Sequence, residues 1–246
     1  MDYIFGIRTV IEAVESGKSI DKVLVRRDLG GELARELLDV MRRYGVLVQR
    51  VPQERLNRIT RKNHQGVIAL ISPVTYHKLD NLLPSLFEDG KNPFFLLLDG
   101  LTDTRNFGAI GRTADCAGVD GIVIPERNSV SVTADAVKTS AGALFYVPVC
   151  RERDLLTAVR MLRESGVKVV AATEKGAADY TAIDFTVPVA IVMGSEDVGI
   201  SNEVLRQCDE LAAIPLCGNI GSLNVSVAAG VMMYEVVRQR KASKEG

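Results

Sequence analysis

Three polar loops, each following an apolar stretch typical of a buried strand, contain the side chains best suited to chemistry. "NFGAIGRTADCAG" supplies the amide of Asn106 and the permanent cation of Arg112. "IVMGSEDVGIS" supplies the carboxylate of Glu196, and "GNIGSLNVS" supplies Ser222 and Asn224. A carboxylate at the mouth of a sheet can accept hydrogen bonds from a ribose or an amine. These three loops are richer in polar side chains than a plain connection between elements needs.

Each loop also has a plain structural interpretation. Asn106 and Ser222 are residue types that cap helix N-termini, and Arg112 could be an ordinary surface charge. Glu196 could cap the following helix or pair with an arginine. The glycines of "GNIGSLNVS" permit unusual backbone angles or the close approach of a ligand. Position keeps the functional interpretation open, because ligands of parallel α/β sheets bind beyond the carboxyl ends of strands, but no single loop decides between the two interpretations.

Absent residue patterns narrow the reaction classes. The only histidines, His64 and His77, precede the part of the chain that contains the three loops, which excludes a Ser-His-Asp or Cys-His site there. Neither a Walker loop nor a G-x-G-x-x-G turn is found, and no acidic triplet suggests a metal-dependent nuclease. The four cysteines have no C-x-x-C spacing. We expect them to be reduced and mostly buried, without a metal site.

Short apolar strands alternate with helices from residue 93 onward. This pattern predicts an α/β domain with a parallel sheet covered on both faces. The predicted strands are 94–99, 121–125, 145–150, 167–172, 188–194 and 211–216, with helices near 108–117, 133–143, 154–165 and 201–208 and a long helix after Ser222.

The first 72 residues form a separate small α/β unit in our interpretation. Prolines and mixed polar content over 73–92 predict a linker with a short helix at 79–87, which places the catalytic domain at 93–246. Residues 1–72 contain 13 Lys/Arg and 9 Asp/Glu, a net charge of +4, and the remainder has 17 and 22, a net charge of −5. This asymmetry suggests that the first domain contacts a polyanion. The chain has neither a secretory signal pattern nor a membrane-length apolar run, so we expect a cytoplasmic protein without membrane contact.

Together the three loops resemble the SpoU (TrmH) branch of the SPOUT RNA methyltransferases. The matching motifs are "NFGAIGRTADCAG", "IVMGSEDVGIS" and "IPLCGNIGSLNVSVAAGV", in the order of that family. The segments "YIFGIRTVIEAV" and "HQGVIAL" resemble the substrate-binding domain of the RlmB-type 23S ribosomal RNA guanosine 2′-O-methyltransferases. The resemblance therefore covers nearly the whole chain.

The resemblance implies a fold, a cofactor and a reaction. A SPOUT domain with a deep trefoil knot would follow a small ribosomal-protein-like RNA-binding domain, and two copies would form a homodimer. S-adenosylmethionine would bind against the knot and give its methyl group to a ribose 2′-hydroxyl of 23S ribosomal RNA, without a metal. The resemblance places the cofactor near Gly194, Ile214, Leu216 and Leu223.

The resemblance also implies roles for the polar residues. Arg112 would activate the 2′-hydroxyl, or alternatively bind the adjacent phosphate and stabilise the alkoxide, because a guanidinium stays protonated. Asn106 would orient Arg112 or the ribose-phosphate, and Glu196, Ser222 and Asn224 would organise the cofactor and acceptor pocket.

Charge and position suggest Arg58, Arg61, Lys62 and His64 as the RNA-binding patch, against the alternative of a solvated face. Three other functions stay open at this point: a transfer RNA 2′-O-methyltransferase, an RNA-binding protein without catalysis, and a nucleotide-dependent oxidoreductase. Retention of all five polar residues speaks against the second, and the missing glycine-rich turn after the first strand speaks against the third.

Overall fold

The structure, a computed structural model, describes residues 2–175 and 178–245 and divides into two compact units. The first unit runs to Thr75 and includes Ser131–Ala134. The second comprises Tyr76–Val130 and the chain from Asp135 onward.

The first unit has a four-stranded sheet with three helices. Its strand order is β1-β4-β2-β3; β2 and β3 are parallel, and β4 is antiparallel to β1 and β2. The carboxyl ends of β1, β2 and β3 therefore lie at the same edge, where the helices begin. The elements are β1 Tyr3–Phe5, α1 Ile7–Glu15, β2 Ile20–Arg26, α2 Glu32–Arg43, β3 Val48–Val51, α3 Gln53–Ile59 and β4 Val67–Ile71.

Hydrophobic periodicity accounts for this unit. In α1 the apolar residues at 7, 10, 11 and 14 follow the helical spacing of three and four, and all four are buried. They pack with α2 on one face of the sheet, in a cluster that includes Leu37 and Met41. On the other face, Leu56 of α3 packs against Leu24 and Ile68. Strand β1 has only three residues, too few for an alternating pattern to be visible in the sequence.

The second unit contains a seven-stranded parallel sheet, which confirms the predicted fold class. Its order is β7-β6-β5-β10-β8-β11-β9, and every neighbouring pair is parallel. Residues 94–98 and 189–193, in the two adjacent central strands, are buried throughout. The strands are β5 Phe94–Asp99, β6 Gly121–Pro125, β7 Val149–Glu152, β8 Lys168–Ala172, β9 Ala178–Asp179, β10 Val189–Gly194 and β11 Glu210–Ala213.

Six helices cover the described part of this sheet and its edges: α4 Leu79–Glu88, α5 Thr104–Ala117, α6 Ala134–Thr139, α7 Leu155–Glu164, α8 Asn202–Leu205 and α9 Val225–Glu245. Helix α4 lies within the stretch 73–92 that the sequence predicts as a linker. Its Leu79, Leu83 and Leu86 are buried in a core cluster of the second unit. Half of the predicted linker is therefore an amphipathic helix that packs into the second unit.

Two predicted strands differ from the observed ones. The strand predicted at 145–150 begins four residues later than predicted: Ala143–Phe145 forms a 3₁₀ turn, Tyr146 is 79% exposed, and β7 runs from Val149 to Glu152. The aromatic run favours a strand by composition, but these side chains lie at the surface. The strand at 211–216 ends early, because β11 stops at Ala213 and Pro215 has no N–H to continue the ladder.

The C-terminal helix α9 is bound to the beginning of the central strands by Arg240. Its guanidinium donates to the carbonyls of Asn92 and Val187, both at 2.8 Å, and lies 5.5 Å from the centre of the Phe94 ring. Burial lowers the pKa of Arg240, although the side chain stays a cation. The trefoil knot stays a prediction. Among the described residues, no helix is long and apolar enough to cross a lipid bilayer.

Candidate functional site

The three polar loops meet at one carboxylate oxygen. Oε1 of Glu196 accepts hydrogen bonds from Nδ2 of Asn224 (2.6 Å), Nδ2 of Asn106 (3.3 Å) and the backbone N–H of Val225 (3.3 Å). Nδ2 of Asn224 also donates to Oδ1 of Asn106 (3.0 Å). We call Asn106, Glu196 and Asn224 the Glu196 network. It joins three segments that are far apart in the sequence.

Asn106 is available to this network because another residue caps its helix. Helix α5 has Asp103 as its N-cap, whose Oδ1 accepts from the backbone N–H of Asn106 (2.7 Å). The capping interpretation of Asn106 is therefore wrong. Its side-chain amide lies in the first turn and is free to contact Glu196.

Asn224, and not Ser222, stands at the start of α9. Its side-chain Oδ1 accepts from the backbone N–H of Ser226 (3.0 Å), and its carbonyl accepts from the N–H of Ala228 (3.0 Å). The amide nitrogen of Asn224 is left to donate to the network. Ser222 is exposed, and neither Gly218 nor Gly221 adopts a positive φ, so this loop does not need glycine for its backbone angles.

Gly194 positions Glu196 by allowing a tight turn. Strand β10 ends at Gly194, and the chain folds back so that the N–H of Gly199 donates to the carbonyl of Ser195 (2.9 Å). A Cβ at Gly194 would lie 2.2 Å from the carbonyl carbon of Gly199 and 2.3 Å from the nitrogen of Ile200. Only glycine fits there.

A cavity of about 350 Å³ lies beside the network, at the carboxyl ends of β8, β10 and β11. All four residues predicted to hold the cofactor, Gly194, Ile214, Leu216 and Leu223, line it. Ser222 and Glu196 line it as well. The structure thus brings the predicted cofactor residues and part of the Glu196 network to one cavity.

Sequence reasoning missed the charged part of this cavity's lining. Glu174 and Lys175, which follow β8, and Asp197, which follows Glu196, also line the cavity. The sequence could have indicated Glu174 and Lys175, because they follow a predicted strand that ends at the same edge of the sheet. S-adenosylmethionine has a purine, a sulfonium and an ammonium group. The apolar side chains of Leu216 and Leu223 suit the purine, and the carboxylates of Glu174 and Asp197 suit the two positively charged groups. The residues present therefore fit the expected cofactor.

Arg112 lies outside the network. It is exposed on α5, and among residues 2–175 and 178–245 it has neither a hydrogen bond nor a salt bridge. The expected contact between Asn106 and Arg112 is not made, because the amide of Asn106 is bound to Glu196 and Asn224. Arg105 is seven residues before Arg112, hence on the same face of the helix, and it is also exposed. Arg105 was not predicted as a site residue from the sequence.

The predicted RNA patch of the first unit divides into two kinds of residue. Arg58, Arg61 and Lys62 are exposed. His64 is only 5% exposed: Nδ1 accepts from the N–H of Gly66 (3.0 Å), so Nε2 donates to Oδ1 of Asn57 (3.0 Å). A buried ring with both nitrogens bonded cannot contact RNA in this conformation. His64 holds the turn before β4 instead.

The cysteines differ from the expectation of mostly buried thiols. Cys116 and Cys217 are exposed, whereas Cys150 is buried and Cys208 half-buried. Burial raises the pKa of both Cys150 and Cys208 to about 12. In the described part of the chain, no group of three or more His, Cys, Asp and Glu side chains could hold a metal ion.

Comparison with known families gives two matches that together cover most of the chain. Residues 93–234 match the SpoU rRNA Methylase family. Residues 3–77 match the family described as RNA 2′-O ribose methyltransferase substrate binding.

Relatives match over almost their full length. The chain is 37% identical to Bacillus subtilis YacO, provisionally assigned to the TrmH family of tRNA/rRNA methyltransferases, over 97% of this chain and 96% of YacO. A relative from Staphylococcus haemolyticus with the same family assignment is 40% identical over 96% of this chain and 95% of its own length.

Solved structures agree with these relatives. An S-adenosylmethionine-bound rRNA methyltransferase from Sinorhizobium meliloti is 30% identical with a TM-score of 0.62, over 96% of this chain and 86% of that chain. The SpoU methyltransferase AviRb from Streptomyces viridochromogenes, in complex with S-adenosylmethionine, is 28% identical with a TM-score of 0.61, over 98% and 90%. The chain therefore belongs to the SpoU (TrmH) family of SPOUT RNA methyltransferases, enzymes that transfer a methyl group from S-adenosylmethionine to a ribose 2′-oxygen of RNA.

Proposed function

We propose that this enzyme methylates the ribose 2′-hydroxyl of a guanosine in 23S ribosomal RNA. The observation that carries the assignment of the reaction is the Glu196 network beside the cofactor cavity. For ribosomal RNA, the support is the extent of the match. The S. meliloti rRNA methyltransferase matches 96% of this chain, whereas the A. aeolicus TrmH/SpoU tRNA modifying enzyme matches 68%. Transfer RNA is the second candidate, because the TrmH relatives are assigned to both RNAs.

The residues at the site would align two partners and stabilise charge. S-adenosylmethionine supplies a methyl group on a sulfonium, so its leaving group is a neutral thioether and the main demand on the protein is alignment. Glu196 would hold the α9 N-terminus against α5, which fixes Asn106 and Asn224 at the mouth of the cavity. The exposed Ser222 hydroxyl would then hydrogen-bond the acceptor ribose.

Arg112 would act on the RNA side of the reaction. A guanidinium keeps its proton in proteins, so a role as phosphate ligand and alkoxide stabiliser fits Arg112 better than a role as base. Its exposure and its lack of a partner in the described part of the chain leave its donors available. Arg105, two turns away on the same face, would bind a neighbouring phosphate.

In the first unit, we place the RNA-binding surface at the edge where α1, α2 and α3 begin. Arg8, Arg35 and Arg55 are exposed in the first turns of these helices, whose N-termini carry partial positive charge. The turn that contains Arg61 and Lys62 returns to β4 at the same edge, since the N–H of Val67 bonds the carbonyl of His64 and β4 begins there. This surface keeps Arg61 and Lys62 of the predicted patch and has three arginines in place of His64, whereas Arg58 lies in the last turn of α3, at the other end of that helix. The expected partner is still a polyanion, as the charge asymmetry suggests.

The homodimer is also a proposal. Val227 and Tyr234 of α9 are 52% and 51% exposed, and Phe145 and Tyr146 are more exposed still. Helix α9 packs on α5, and α5 packs against the 3₁₀ turn that contains Phe145. Apolar side chains of this size on one region of a surface favour a second copy as their cover.

Methylation of separate RNAs tests the choice of substrate. The protein is incubated with tritiated S-adenosylmethionine and either 23S ribosomal RNA or transfer RNA transcribed in vitro, which carry no modification. We expect label in the 23S transcript alone. Label confined to transfer RNA would replace the proposed substrate with the second candidate, and absence of label from both would remove the proposed function.

A further inference from the structure

A second cavity lies at the carboxyl ends of β5, β6 and β7 and shares no lining residue with the cofactor cavity. Its volume is about 520 Å³, within the range of roughly 300–1,000 Å³ typical of ligand sites. Four chain segments line it, and six of the lining residues are charged: Asp99, Glu126, Arg127, Arg153, Asp154 and Glu203. The three motifs of the SpoU family do not account for Glu126, Arg127 or Arg153.

The second cavity and the cofactor cavity flank the same turn. Asp99, at the end of β5, pairs in register with Gly194 at the end of β10, and its Oδ2 accepts from the N–H of Ser201 (2.8 Å). The turn 195–200 leads from Gly194 to Ser201 and lines the cofactor cavity. A nucleotide in the second cavity would therefore lie next to the turn that carries Glu196.

Glu126 is the residue that points to a ligand. Its side chain is half-buried, and in the part of the chain that the structure describes its carboxylate has neither a hydrogen bond nor a salt bridge. A carboxylate that lines a cavity without a protein partner has its acceptor oxygens open to a donor supplied by a ligand. Arg127, the next residue, is exposed and likewise has no hydrogen bond or salt bridge among the described residues.

The chemistry of this pair selects one class of ligand. Guanine presents two parallel donors, N1–H and the N2 amino group, which match the two oxygens of a carboxylate, whereas adenine presents an acceptor at N1. Proteins read single-stranded RNA by hydrogen bonds to such exposed base edges. Arginine is suited to the phosphate of the same nucleotide. We propose that the second cavity binds a guanine nucleotide of the RNA substrate, with Glu126 on the base and Arg127 on the phosphate. This inference rests on the proposed function and adds its base selectivity.

Binding of mononucleotides tests this proposal separately from methyl transfer. Guanosine 5′-monophosphate and adenosine 5′-monophosphate are titrated to about 10 mM by NMR, a range that detects weak binding. Saturating S-adenosylhomocysteine occupies the cofactor cavity throughout. We expect the guanine nucleotide to bind at least tenfold more tightly, and Glu126→Gln to weaken its binding about tenfold without changing that of the adenine nucleotide. Arg127→Gln should weaken the binding of both nucleotides. It should not change the binding of guanosine, which has no phosphate for Arg127 to contact.

The matched control is Glu164→Gln, an exposed glutamate at the other end of α7 from the cavity. It should bind both nucleotides as the unaltered protein does, and thermal melting should show all variants folded. Equal affinity for the two nucleotides, equal weakening of both by Glu126→Gln, or no binding by about 10 mM would overturn the proposal. These results do not depend on methyl transfer, so failure of the proposed function would show separately in the labelling experiment.

Discussion

Substitution of Gly194 by alanine should disrupt the turn that links the cofactor cavity to the Glu196 network. The new Cβ would stand 2.2 Å from the carbonyl carbon of Gly199, where ordinary contact begins at 3.4 Å. The backbone at 199–200 must therefore move by about 1.2 Å. A misplacement of roughly 1 Å at a catalytic site can reduce turnover about 100-fold. We expect a loss of that size in kcat/KM, and at least tenfold weaker binding of S-adenosylmethionine.

Isothermal titration with S-adenosylmethionine measures the binding effect without RNA. Gly218→Ala is the matched control, because a Cβ at Gly218 meets nothing within 4 Å and its φ is not positive. The control should bind the cofactor as the unaltered protein does. If Gly194→Ala binds within twofold of the unaltered protein while remaining folded, then the turn does not position the cofactor as we reason.

Three further substitutions or modifications test the contacts described above. Glu196→Gln weakens the acceptor of the 2.6 Å bond from Asn224, and should lower kcat/KM about tenfold while cofactor binding changes less. Arg240→Met removes bonds to several carbonyls and should lower the stability by about 2 kcal/mol, or roughly 4–8 °C in Tm by calorimetry. Iodoacetamide at pH 8 should modify Cys116 and Cys217 in the folded protein but not Cys150, because burial raises the pKa of that thiol to about 12. Mass spectrometry of peptides from the treated protein identifies the modified cysteines.

The sequence predicts the network residues for a physical reason. Asn106, Glu196 and Asn224 lie in loops that each follow an apolar strand. Because parallel strands end at one edge of a sheet, these three side chains are expected to meet there. Their mutual hydrogen bonds could not be predicted, because the choice between Asp103 and Asn106 as the cap of α5 depends on local geometry alone.

Long-range packing accounts for the other differences. The burial of His64 depends on Asn57 and on the turn into β4. The polar residues around His64 in the sequence therefore predict an exposed side chain, which is wrong. The second cavity combines four segments that follow four different strands, and none of these segments has a pattern of its own. In the predicted linker, the apolar spacing of α4 was visible, but its burial in the core of the second unit was not.

Analysis of the methylated nucleoside tests most directly whether this site transfers a methyl group to a ribose of RNA. The 23S transcript is incubated with S-adenosylmethionine and the protein, digested to nucleosides and separated by mass spectrometry, with Arg112→Ala in parallel. We expect 2′-O-methylguanosine from the unaltered protein, and none from Arg112→Ala although that variant still binds S-adenosylmethionine. A methyl group on a base, or an unchanged yield from Arg112→Ala, would contradict the mechanism.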